Sequence, residues 1–332
     1  MKDKKSKEAL FNEIKGSLFE YLFARELARL SQTESSFLKS ISDQYQIVLS
    51  QQDRMVREFY PDLIPFLGQM SKKTVEYFLS QFQEPLDSVK LLGKFVNTEM
   101  SGEIKEADVI IESNQRQIPI SLKLTKESSY VNTKSGGIKS FIKTYFQFDR
   151  DQEIQHEFNL FVDQIFAEMG HSLHTEAGLE YDGTFKDWIR RGYSELPGEL
   201  EGHFRVHIHD FYNKVKTRLY DILLDLYKKQ PEAFLKALPA LCGFSNENMG
   251  QLTCYHDFSD KGFSDPRIHF EFFKQEIFSQ IIKLDLHPGL SYFDIELEDR
   301  ILQIRVKSMN KFTSTAMKIN CSVKFKRLSF PQ

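Results

Sequence analysis

Residues 106–124, EADVIIESNQRQIPISLKL, constrain the fold more than any other stretch of the chain. Two runs of β-branched and apolar residues flank a polar turn, which is the pattern of a β-hairpin. Side chains alternate along a strand, so Ile120, Leu122 and Leu124 are expected on the core side, with Ser121 and Lys123 together on the other. Asp108 opens the first strand, with 12 residues between it and Ser121. A hairpin folded this way brings a carboxylate, a hydroxyl and an ammonium group into one corner of a sheet.

The flanking sequence is mainly helical in pattern. Residues 8–31 carry two apolar stripes, Phe11, Ile14, Leu18, Leu22 and Phe19, Phe23, Leu27, Leu30, which together make a broad face to bury. On a helical wheel Glu20 shares its side with Glu13, Gly16, Phe23, Ala24 and Leu27. Residues 35–93 continue the helical pattern, with interruptions expected at Pro61, Pro65 and Pro85. A polar loop is expected from 125, leading into a helix near Gly137. Residues 151–240 read as helical, most clearly from Phe211 to Lys229, and a further helix is expected over Phe270–Leu284. The tail alternates like strands in SYFDIEL, RILQIRVKSM and MKINCSVKFK. No internal repeat or low-complexity linker marks a clean boundary. The expected regions are 8–150 (N-terminal helices plus hairpin), 151–285 (mainly helical) and 286–328 (basic and β-rich), within one compact domain.

Composition narrows the class. A chain of 332 residues that is 41% hydrophobic and 27% charged suits a soluble globular protein. The net charge of -3 does not by itself favour a polyanionic partner, so the distribution of charge has to be read. The three cysteines form no C-x-x-C pair, which argues against a disulfide framework or zinc finger and fits a reducing cytoplasm. The start MKDKKSKEAL is charged rather than an apolar signal core, and no membrane span is expected.

The hairpin corner suits phosphodiester hydrolysis. A hard divalent cation, usually Mg²⁺, prefers oxygen ligands and retains several waters. Such a cation neutralises charge on phosphoryl oxygens and lowers the pKa of an attacking water. A nearby lysine orients that water or holds the phosphate. One carboxylate is usually too few to hold the metal. Glu20 on the first helix is the candidate for the second, with Glu13, Glu106, Glu112 and Glu127 as alternates.

Asp108, the 12-residue gap and Ser121-Leu122-Lys123 resemble the PD-(D/E)XK nuclease superfamily, and type II restriction endonucleases in particular. The resemblance covers about half the chain: the first helix, the hairpin, the segment VNTKSGGIKSF and the basic tail. It implies an α/β (mixed α+β) fold, with a central mixed sheet flanked by helices, a helical insertion and a C-terminal β ribbon. It also implies a Mg²⁺-dependent, site-specific endonuclease acting on double-stranded DNA, with Asp108 and Glu20 binding metal and Lys123 catalytic. The Gly16-x-x-x-Glu20 setting matches a glutamate that often joins such sites. Two departures stand out: no proline precedes Asp108, and Ser121 occupies the position of the second acidic residue. Ser121 either assists through its hydroxyl or merely fills that place. The alternative is a DNA-binding protein that keeps the fold without activity. A homodimer is expected, because a two-fold enzyme cuts both strands of a palindrome.

Two further stretches bear on nucleic acid. Lys134, Ser135, Gly136 and Gly137 precede the expected helix, where free backbone N–H groups hold phosphate, and Lys134 and Lys139 add positive charge. A plain glycine turn is the alternative, and the spacing is not that of a nucleotide-binding loop. After Asp299 the chain contains no Asp or Glu, yet it includes Arg305, Lys307, Lys311 and Lys318. A two-stranded ribbon with these residues on its outer face suits a phosphate backbone or a major groove. Arg305 is matched to guanine, and Asn310 or Asn320 to adenine. A solvated basic face is the other reading. His203, His207 and His209, His171 and His174, and the Cys254/His256 pair lack the partners of a metal or thiol site, so ordinary structural roles are expected for them.

Overall fold

The computed structural model describes residues 2–92, 107–126, 129–245, 247–256, 258–259, 262–263, 265–308 and 311–326. Its chain forms two compact units. Unit 1 comprises 1–129 and 244–273; unit 2 comprises 130–243 and 274–332. These divisions differ from the three regions marked out in the sequence. The chain leaves unit 1 after its third strand and returns to it at 244, because the next strand of that sheet lies parallel to the third. Parallel neighbours require a long crossover. The fold is mixed α/β, with two five-stranded sheets and a two-stranded pair among the described residues.

Unit 1 begins with four helices, α1 (Lys2–Leu30), α2 (Glu34–Ser40), α3 (Asp43–Phe59) and α4 (Leu63–Gln81). Ser42 caps α3 by accepting the Tyr45 N–H. Pro61 falls in the break before α4. Pro65 interrupts nothing, since it lies in the first turn of α4, where a missing N–H is tolerated. The sheet of unit 1 runs β1-β2-β3-β5-β8. Its strands are β1 (Ser88–Leu91), β2 (Val109–Ser113), β3 (Arg116–Lys126), β5 (Gly250–His256) and β8 (Arg267–Phe272). The two-stranded pair is β6 (Phe258–Ser259) with β7 (Gly262–Phe263). The expected hairpin is β2–β3, paired Val109↔Ile120 through Ser113↔Arg116. Its turn residues Asn114 and Gln115 have φ of 50° and 63°, the left-handed pair of a tight hairpin turn.

One face of this sheet is apolar and carries Val109, Ile111, Ile120, Leu122, Leu252 and Cys254. The face packs against the stripes of α1 and α4, with Phe23 and Phe78 meeting edge to face at 6.2 Å. Leu30, at the end of the expected α1 stripe, is exposed. Gly250 marks a close approach in this layer. A Cβ there would lie 2.8 Å from Ile120 Cδ1 and 2.9 Å from Phe270 Cε2. Gly250→Ala is therefore expected to destabilise the protein by about 1–3 kcal/mol through overpacking. A drop in the thermal midpoint without loss of folded circular dichroism at low temperature is the corresponding measurement.

Unit 2 contains β4 (Val131–Gly137), helices α5 (Phe141–Tyr145), α6 (Asp151–Glu176), α7 (Lys186–Arg190), α8 (Gly202–Lys229) and α9 (Pro231–Leu241), and four tail strands. These strands are β9 (Lys283–Leu286), β10 (Tyr292–Glu296), β11 (Arg300–Ser308) and β12 (Met317–Phe325). The sheet order is β4-β12-β11-β10-β9, antiparallel throughout. Leu302, Ile304, Val306, Ile319, Cys321 and Val323 form its buried inner face, over which α8 runs, with α6 packed along α8.

Several expectations are corrected here. The basic tail is no free two-stranded ribbon: β4 and β10 pair with its open edges, and α8 covers its apolar inner side. The stretch leading to Gly137 is a strand and not a loop before a helix. Val131 and Thr133 point inward and Val131 pairs with Val323. Only a three-residue 3₁₀ turn (Ile138–Ser140) and the short α5 follow, so Gly136 and Gly137 form no helix-start phosphate loop. The helix expected over Phe270–Leu284 is instead the end of β8, a 3₁₀ turn (Gln275–Phe278) and the start of β9. Alternation in RIHFEF, paired with β5, prevails over the apolar density that suggested helix. His203, His207 and His209 lie on α8, so His207 and His209 point in different directions. His207 pairs with Glu176 on α6.

Candidate active site and nucleic-acid interface

The hairpin corner in unit 1 forms as its alternation dictates. Asp108 precedes β2, and its N–H bonds the Ile120 carbonyl at 2.9 Å, extending the β2–β3 ladder by one step. This places its carboxylate over Ser121. A single carboxylate oxygen, Oδ2, then receives three donors. The Leu122 N–H bonds it at 2.7 Å, the Ser121 hydroxyl at 3.4 Å, and the Lys123 ammonium lies 3.6 Å away. The carboxylate is fixed on one side, and Oδ1 takes none of the three. Ser121 is 2% exposed because β3 is a central strand with neighbours on both sides. Lys123 and Asp108 remain partly open to solvent, with side-chain exposures of 30% and 22%.

Glu20 on α1 and Asp108 both bear electrostatically on Tyr45 of α3. Burial pushes the Tyr45 phenol up, the neighbouring Ser17 hydroxyl opposes the shift, and the negative charges of Glu20 and Asp108 add to it. Both carboxylates therefore act on one phenol. A Cβ at Gly16 would meet no atom within 4 Å, so the space one turn before Glu20 is open. Glu13 is exposed. Glu112 is engaged elsewhere: Lys90, then Ser88 and Gln117, hold its carboxyl down to about 2. Glu106 and Glu127 lie outside the described residues. Among the described residues, no three His, Cys, Asp or Glu side chains converge to hold a metal ion.

Sequence reasoning missed the neighbours that the parallel strand brings in. β5 sets Gln251 beside Ser121 and Thr253 beside Lys123, and β8 adds Glu271 and His269 in the next rank. A polar row thus runs from Asp108, just ahead of β2, across β3, β5 and β8 through Ser121 and Gln251 to Glu271. The signal was present in GQLTCYH, where Gln251, Thr253 and Tyr255 alternate with Leu252, Cys254 and His256. Tyr45 and Lys15 were missed too. The Lys15 ammonium is disfavoured by burial and, secondarily, by Lys126 at the end of β3. Cys254 is no nucleophile, since burial pushes its thiol up to about 12.

In unit 2, four of the expected nucleic-acid contacts share the outer face of the sheet. Arg305 pairs in register with Asn320, and Lys307 with Lys318. Ser135 donates to Asn320 Oδ1 at 3.0 Å. The Lys307 ammonium is disfavoured by burial, then by Lys318 and Arg305. Like charges directly opposite on paired strands are destabilising, and an anion laid across them relieves that. Other expected contacts do not join this face. A bulge in the β4–β12 pairing puts Lys134 in register with buried Cys321, and its ammonium lies 5.8 Å from the Tyr145 ring centre. Lys139 is bound to Asp163 at 2.6 Å and Lys311 to Glu195 at 2.5 Å. Asn310 lies outside the described residues. Two other basic residues of the tail are also paired, Arg300 with Asp299 and Lys326 with Glu296.

No helix among the described residues is long and apolar enough to cross a membrane. Comparison with protein-family models, curated proteins and solved structures returns no match to this chain.

Proposed function

We propose that this chain is a Mg²⁺-dependent, sequence-specific endonuclease of the type II restriction-enzyme kind, hydrolysing phosphodiester bonds in double-stranded DNA. The observation that carries the reading is the corner at Asp108, where Lys123 stands 3.6 Å from a carboxylate fixed by the Leu122 N–H and Ser121. Support at the coarser level comes from the mixed sheet of unit 1: four helices, the antiparallel meander β1-β2-β3, a long crossover, and β5 parallel to β3.

The reading calls for a hard cation held by few protein ligands. Asp108 offers carboxylate oxygen and Ser121 a hydroxyl, and Glu20 on α1 is the proposed second carboxylate. Mg²⁺ needs only one or two protein carboxylates, because it retains waters and takes substrate phosphate oxygens. Asp108, with Glu20, would hold it. When bound, it supplies charge neutralisation at the phosphoryl oxygens and a more acidic water. The chain's own part is positional. Leu122 N–H and Ser121 orient Asp108, and Lys123 orients the attacking water or holds the scissile phosphate. Lys307 and Lys318 in unit 2 contact the DNA backbone, and a homodimer allows both strands to be cut.

A second reading has its own support. The Ser121 hydroxyl is buried and already directed at Asp108, and Ser121 brings no charge where a second carboxylate is expected. A DNA-binding protein with this fold and no activity follows from that. Incubating supercoiled plasmids of varied sequence and methylation with the protein, in Mg²⁺ or in EDTA, separates the two. Discrete linear fragments only in Mg²⁺ are expected. Binding without cutting under every condition would establish the inactive reading.

A further inference from the structure

The outer face of the unit 2 sheet contains a hydrogen-bonded relay that ends on Arg305. His287 Nε2 lies 2.9 Å from Asp294 Oδ2, and Gln303 Nε2 donates to Asp294 Oδ1 at 3.4 Å. Arg305 Nη2 donates to Gln303 Oε1 at 2.9 Å. The amide orientation of Gln303 has one solution. A carboxylate only accepts and a guanidinium only donates, so the NH₂ must face Asp294 and the oxygen must face Arg305. Gln303 is 5% exposed, which makes it a built component rather than a surface group. The Arg305 guanidinium also lies 5.0 Å from the Tyr292 ring centre, which gives it an aromatic floor. Cross-strand pairing fixes the frame, with Tyr292 opposite Arg305 and Asp294 opposite Gln303.

This arrangement is more than phosphate binding requires. A phosphate is held well by an ammonium on a flexible stem, and Lys307 and Lys318 already occupy the adjacent rank. A guanidinium held beside a ring, with one nitrogen tied to an amide oxygen, presents its remaining donors as a positioned fork. That fork matches two acceptors at fixed separation, as on the O6/N7 edge of guanine in the major groove.

We propose that Arg305 reads a guanine in double-stranded DNA, with Gln303 and Asp294 as the positioning residues that aim it, while Lys307 and Lys318 hold phosphates without regard to sequence. The proposal rests on the DNA-binding reading above and adds the division of labour on this face. The test is selection of bound duplexes from a pool with a randomised centre, in EDTA, followed by affinity measurement over a range of salt. Wild type is expected to enrich guanine at a fixed position. Arg305→Lys and Gln303→Met should reduce that preference by roughly 5- to 150-fold. Lys307→Ala/Lys318→Ala should keep the preference, weaken binding to all sequences alike, and lower the salt slope by about 1.8. Uniform weakening by Arg305→Lys, with base preference unchanged, overturns the proposal. Wild-type binding with no guanine preference overturns it alone. No wild-type binding even at low salt removes the DNA reading and this proposal together.

Discussion

Asp108→Asn is expected to lower Mg²⁺-dependent cleavage on the order of 10³-fold while the protein stays folded. The size of the loss follows from removing the one carboxylate fixed at the corner, since metal-assisted charge stabilisation is worth several kcal/mol and each 1.4 kcal/mol is about tenfold in rate. The retention of fold follows from the same geometry. The Leu122 N–H bonds Asp108 Oδ2 at 2.7 Å, and an asparagine oxygen can accept it in place of the carboxylate. Asp108→Ala cannot do this. It leaves a backbone donor without its acceptor next to the buried Ser121, at a cost of about 1–3 kcal/mol. The two variants should therefore be equally inactive but differ in thermal midpoint, with the alanine variant lower. Cleavage assays and melting curves on the same preparations provide the check.

The second large effect concerns stability and lies in unit 2. Trp188 is fully buried at the centre of an aromatic cluster. It stacks on Tyr193 at 4.4 Å and meets Phe204 edge to face at 5.2 Å and Phe312 at 6.1 Å. Its Nε1–H donates to the Ser194 carbonyl at 3.0 Å, so its polar edge is satisfied as well. Trp188→Ala is expected to cost about 3–5 kcal/mol, from lost burial, a large cavity and broken ring pairs. Urea denaturation followed by far-ultraviolet circular dichroism should show a lower midpoint. An unchanged midpoint would mean that this cluster is not the core of unit 2. Trp188 is the chain's single tryptophan, so wild-type emission reports the unfolding of this unit directly.

What was legible in the sequence tracks the range of the interactions involved. The β2–β3 hairpin, α1 and the strands β10, β11 and β12 follow from local alternation and helical periodicity, and they form as read. Asp108 and Lys123 met because a hairpin is local and its register puts them in one corner. The crossover was not legible. Nothing near Ser121 indicates that β5, about 130 residues later, lies beside it, so Gln251 and Thr253 went unread. The same reason explains Phe270–Leu284. An apolar run of that density suits a helix, but β8 takes its conformation from pairing with β5. The glycine segment failed for a related cause: β4 looks polar because it is an edge strand, and only its pairing with β12 makes it a strand. Charge was the least legible quantity. The tail is basic in composition, yet Lys311 is matched by Glu195, over 100 residues earlier, and of the expected DNA contacts Arg305, Lys307 and Lys318 share a face with Asn320.

The central claim is that the Asp108–Lys123 corner cleaves phosphodiester bonds, and Lys123→Ala tests it most directly. Single-turnover cleavage of one duplex in Mg²⁺, with binding of the same duplex measured in parallel by fluorescence anisotropy in EDTA, separates chemistry from affinity. The expected result is binding within about twofold of wild type and cleavage reduced by at least about 10²-fold, the scale for loss of a positioned charge at a reacting phosphoryl group. Cleavage by the Lys123→Ala protein at the wild-type rate would contradict the account.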